Sequence, residues 1–81
     1  MNREKCEAII EGILFAMGES VEISRLAKVL EISQEEVLDM IQNMRERYQS
    51  ENRGIEIIEI EHAVQMCTKK EMYEYLIRIA K

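Results

Sequence analysis

The side chains of this 81-residue chain that could do chemistry are few and scattered. His62 is the only histidine, and it stands in "EIEHAVQ" with no second histidine, cysteine pair or serine spaced around it. A general base needs a group to exchange its proton with, and a metal needs further ligands, so a lone histidine reads as a solvated turn residue. Glu56, Glu59 and Glu61 are the next candidates, as paired carboxylates for acid–base work or as oxygen ligands for a hard cation. They are interleaved with isoleucines over "IEIIEIE", which is the pattern of a strand's solvated face. Cys6 and Cys67 lie far apart in apolar periodic segments and read as free thiols buried in a core. Gly12, Gly18 and Gly54 are the only glycines, and none belongs to a phosphate-cradling loop or a nucleophile elbow. The residues therefore point away from an enzyme, and they assign no catalytic, cofactor, metal or small-molecule site.

Length limits what the rest can be. At 9.6 kDa the chain has room for one domain with one modest core. With 47% hydrophobic and 33% charged residues it has enough apolar surface to offset chain entropy, so it reads as a folded domain. No apolar run approaches the roughly 20 residues of a membrane span, and "MNREKCEAII" lacks the apolar core of a signal peptide. The expected location is cytoplasmic, with no membrane partner.

Four helices and a hairpin account for the periodicities, in a chain without proline. From about Glu4 to Met17, the residues Cys6, Ile9, Ile10, Ile13, Leu14 and Met17 recur at helical spacing, and Gly18 is placed to end the helix. Ala8, Gly12, Phe15 and Ala16 make a second apolar side, so this helix is expected to be central, with Phe15 in the core and Glu4, Glu7 and Glu11 as a narrow wet edge. Val21 and Ile23 suggest a short extended segment before Ser24, which is expected to cap a second helix with Leu26, Ala27, Val29 and Leu30 inward. Ser33-x-x-Glu36 is a capping box for a third helix, whose expected buried stripe is Val37, Leu38, Met40, Ile41, Met44 and Tyr48. After "SENRG", the runs "IEIIEIE" and "AVQMCTK" read as a hairpin with its bend near Glu61 to Ala63. Thr68-x-x-Glu71 is a second capping pattern, expected to open a last helix with Met72, Tyr75, Leu76 and Ile79 inward. That helix is still periodic at Lys81, which suggests that the chain is the first domain of a longer protein.

Helix, short strand, helix, helix, strand, strand, helix is the winged-helix order, an α+β fold with a three-helix core, a β-hairpin wing and an added C-terminal helix. Such a fold commonly reads DNA with its third helix. Here that helix begins with Glu35, Glu36 and Asp39, its arginines come late, the wing "EIEHAVQ" has no cation, and the net charge is −5. Phosphate recognition needs the opposite sign. A winged-helix DNA-binding transcriptional regulator thus stands as the alternative, and an interaction module as the preferred reading. Residues bordering the helical stripes are its candidate partner interface: Met40 on the third helix and Tyr73, Tyr75 and Ile77 on the last.

Taken together, "AIIEGILFAMGESVEISRLAKVL", "SQEEV", "RGIEIIEI" and "VQMCTKKEMYEYL" resemble the N-terminal winged-helix domain of the segregation and condensation protein B family, over nearly the whole chain. The chain departs from that pattern in having Ser20 where proline is usual and no glycine at the hairpin bend. The resemblance implies a non-catalytic subunit of the bacterial condensin complex, acting in chromosome condensation and segregation with a kleisin subunit and, through it, an SMC ATPase. It also implies two winged-helix domains in tandem, of which this chain matches the first. That first domain is associated with homodimerisation, and much of the kleisin contact with the second. No cofactor and no direct nucleic-acid contact are expected of this domain.

Overall fold

A computed structural model describes residues 1–50 and 52–80. Helix α1 spans Arg3–Met17. It opens where the Asn2 side chain accepts from the Lys5 amide at 2.8 Å, and it closes at Gly18 in the left-handed region, φ 66°, as the glycine anticipates. Strand β1 is only Val21–Glu22, and α2 follows directly as Ile23–Leu30. Its N-cap is Glu22, which makes no side-chain cap, so Ser24 is not the cap. Ile23, expected to be extended, is instead the first helical residue and is buried. Helix α3, Gln34–Tyr48, begins with the expected capping box: the Glu36 amide donates to Ser33 Oγ at 3.0 Å and the Ser33 amide to Glu36 Oε1 at 3.1 Å.

Strands β2 (Ile55–Ile60) and β3 (Ala63–Thr68) pair antiparallel from Ile55 opposite Thr68 to Ile60 opposite Ala63, around a bend of Glu61 and His62. Glu61 takes the left-handed conformation, φ 57°, that this bend requires where no glycine is present. Val21 of β1 pairs with Val64, giving the sheet order β1-β3-β2 with β2 outermost. Thr68 ends β3 and does not cap a helix. A 3-10 turn at Lys70–Met72 intervenes without a side-chain cap, and α4 runs Tyr73–Ile79.

One core unites these elements. Ile10 and Leu14 from α1, Leu26 from α2, Val37, Ile41 and Met44 from α3, and Ile57 and Val64 from the hairpin are closed to solvent. The helical spacings that predicted these buried stripes hold on the side facing the sheet and fail elsewhere. Phe15 is 80% exposed, with Ala8, Gly12 and Ala16 beside it on the surface, so α1 is buried on one side and not two. Val29 and Leu38 also face out. Of the expected inward stripe of the last helix, Tyr75, Leu76 and Ile79 are exposed, and only Met72, in the 3-10 turn before α4, is half-buried, beside Gly54. Glu7, placed on the wet edge by its type, is buried. The exposed apolar residues share one reason, that an 81-residue domain has one modest core that cannot cover every apolar side, whereas Glu7 is enclosed by Asn43 and Arg47 of α3.

Candidate protein-interaction surfaces

The helix that would read DNA is engaged with α1 instead. The buried Glu7 carboxylate accepts from Arg47 Nη1 at 2.7 Å, Asn43 Nδ2 at 3.1 Å and Arg3 Nε at 3.2 Å. Burial pushes the carboxyl upward, and the hydrogen bonds from Arg47, Asn43 and Arg3 outweigh it, so Glu7 is held below the usual carboxylate range. Arg3 also reaches Asp39 Oδ2 at 2.7 Å, and the Tyr48 hydroxyl donates to Glu11. Burial, together with that anionic acceptor, pushes Tyr48 up to about 12. Farther along α3, Arg45 pairs with Glu59 of β2 at 3.1 Å. The late arginines that a DNA-reading helix would turn toward phosphate are thus neutralised by Glu7 and Glu59. What α3 leaves outward at its start, unpaired among the described residues, is Glu35 and Glu36, with Asp39 beside them held by Arg3, a stretch that offers phosphate no cation from α3.

The remaining candidates for chemistry fall where no reaction centre forms. His62 is exposed in the hairpin bend. Glu56 is half-buried opposite Cys67, and burial together with Glu56 raises the thiol's pKa, which makes it a poorer nucleophile. Both cysteines are free, and among the described residues no group of histidine, cysteine and acidic side chains could hold a metal. No helix is long and apolar enough to cross a membrane among those residues.

Two stretches of the described surface group several exposed apolar side chains. On α4, Tyr73, Tyr75, Ile77 and Ile79 are each more than half exposed, and Leu76 is exposed to a lesser degree. Glu74 and Arg78 pair across one turn at 3.4 Å, and the Arg78 guanidinium lies 4.9 Å from the Tyr75 ring centre. Of the four side chains singled out as a partner interface, Tyr73, Tyr75 and Ile77 lie together on α4. Met40 is apart from them, 6% exposed in the core. The second surface, which the periodicity assigned inward, runs around the outside of α1 from Phe15 through Gly12 and Ile13 to Met17. It continues across a groove of about 70 Å³ to Val29 of α2. A signal for it was present: "GILFAM", residues 12–17, has no charge on any side, more apolar arc than one core can cover.

Fold and surface together define a winged-helix domain in which Arg45 and Arg47 of α3 are paired with Glu59 and Glu7, and in which the outside of α1 and α4 present apolar side chains. The chain belongs to the family described as segregation and condensation complex subunit ScpB, whose model matches residues 8–81. It is 48% identical over 80 residues to segregation and condensation protein B of Lachnoclostridium phytofermentans, covering 99% of this chain and 42% of that protein. It is 50% identical over 76 residues to that of Agathobacter rectalis, covering 93% and 41%. The chain therefore spans less than half the length of these curated relatives. A crystal structure of a dimer of the ScpB N-terminal domain complexed with a ScpA peptide superposes with TM-score 0.89 at 34% identity, covering 94% of this chain and 95% of that one. ScpB from Mycobacterium tuberculosis shares the fold, with TM-score 0.91 at 18% identity over 99% of this chain and half of that one.

Proposed function

We propose that this chain is the first of two winged-helix domains of a non-catalytic subunit of an SMC–kleisin complex, acting on the chromosome in the cytoplasm through protein contacts. Its own tasks are to pair with a second copy and to take up the kleisin, a ScpA-like subunit that links it to the SMC ATPase. The dimer contact is assigned to α4 through Tyr73, Tyr75 and Ile77.

One observation carries the dimer reading: α4 is a seven-residue helix with no buried residue, resting on a 3-10 turn and exposing five apolar side chains. An isolated helix of two turns is unstable in water, so α4 is suited to being covered by another surface, here assigned to a second copy. Glu74 and Arg78 give the face one charge of each sign, which suits association with its own copy. Sedimentation equilibrium at micromolar to high micromolar concentration tests this. A dimer whose dissociation constant rises about ten-fold or more in Ile77→Asp is expected. A wild-type chain that stays monomeric throughout, or a variant that dimerises equally well, sinks the assignment.

A further inference from the structure

Two open apolar faces and two partners raise the question of which partner takes which. The faces lie at opposite ends of β3. Val21, which lines the α1–α2 groove, pairs with Val64 beside the hairpin bend, and Ile23 at the start of α2 donates its amide to the His62 carbonyl at 2.9 Å. Helix α4 departs instead from the Thr68 end, and a six-residue strand separates those ends by roughly 17 Å. One partner segment cannot close both faces by local contact, and the molecule's extents of 43 × 21 × 20 Å agree with two separated stations.

Their charges differ in kind. The groove is lined by Ile13, Met17, Val21, Leu26 and Val29, and its single charged wall is Arg25. Arg25 and its neighbour Lys28 on α2 are exposed and enter no ion pair among the described residues, whereas Arg3, Arg45, Arg47 and Arg78 all do. On the far rim of the α1 face, Glu11 is already taken by Tyr48. An apolar cleft beside unpaired cations is complementary to an apolar segment carrying a carboxylate, and it is not self-complementary as α4 is.

Resting on the reading above, we propose that the α1–α2 groove seats an apolar segment of the kleisin, inserting aliphatic side chains between Met17 and Val29 and presenting a carboxylate to Arg25, while α4 serves the second copy. The segment it fits carries two or three apolar anchors with an acidic residue beside them.

Isothermal titration of the full chain with the purified kleisin from the same genome tests this, with sedimentation and urea unfolding run in parallel on each variant. Val29→Asp is expected to weaken kleisin binding about ten-fold or more, and Arg25→Glu to weaken it about five-fold with a flatter salt dependence. Both positions are exposed, so the dimer and the urea midpoint should be unchanged. Kleisin binding that is equal in wild type and both variants overturns the inference and leaves the functional reading standing. Loss of the dimer in Val29→Asp overturns it as well, because the groove would then be the self-association face. A wild-type dimer that takes up no kleisin removes the functional reading, and the inference falls with it.

Discussion

Helix α1 and helix α4 are both rich in apolar residues and differ in what holds them. Helix α1 is tied to α3 twice over, by the Ile10 and Leu14 side chains in the core and by the polar seam from Glu7 to Arg47, Asn43 and Arg3. Helix α4 has no buried residue, and its side-chain ties among the described residues are local, the Glu74–Arg78 pair and the Arg78 guanidinium over the Tyr75 ring. The contrast teaches that apolar content alone does not say where a helix's stabilisation comes from. For α1 it comes from this chain, and for α4 it must come from contact with another surface.

The sharpest way to break the comparison is to remove core volume under α1. Leu14→Ala is expected to cost about 3 kcal/mol in urea unfolding, since Leu14 is fully buried and its neighbours can only partly close the gap. A loss below about 1 kcal/mol would mean that α1 is no better anchored than α4. Next in size is the polar seam. Glu7→Ala is expected to cost about 2 kcal/mol by leaving the seam's donors without their acceptor. The pH dependence fixes its origin: with its folded pKa below the unfolded 4.5, Glu7 stabilises the fold above that value, and the contribution is lost as pH falls through the folded pKa. The gap between wild type and Glu7→Gln should therefore narrow in acid below about 4.5. A pH-independent gap would assign the loss to packing.

Smaller still is the helix cap. Ser33→Ala is expected to lose about 1 kcal/mol, because the Glu36 amide loses its acceptor. The smallest change belongs to α4. Ile77→Ser, followed in the monomer at low concentration, should shift stability by no more than about 0.5 kcal/mol. A large loss there would show that α4 packs on its own domain.

What could be read from residues alone follows the same division. Gly18 and the Ser33–Glu36 box are local, each made by a residue within a few positions of the backbone it serves, and the bend expected near Glu61 to Ala63 is there, shorter by Ala63, which pairs with Ile60. So is the inward side of α1 and α3, because 3.6-residue spacing marks an apolar face. Spacing does not say what covers that face. Phe15, Val29 and the α4 residues match the pattern of core positions and lie outside, since a single small core was already closed by their neighbours. Glu7 is the reverse case. Its burial depends on Asn43 and Arg47, 36 and 40 residues away, and no window along the chain contains that encounter. Thr68-x-x-Glu71 failed because β3 claimed Thr68 for its pair with Ile55.

The place of β2 at the rim of the sheet bears on how this molecule behaves when crowded. Its outer edge presents backbone amides and carbonyls to any passing copy, and an unguarded edge invites sheets to join side by side into open-ended stacks. Glu56 and Glu59 lie on that strand, Glu59 held by Arg45 of α3, and charged side chains along an edge disfavour its joining another strand. If the proposed contacts through the helices hold, association by that route stays separate from any pairing along the charged sheet edge.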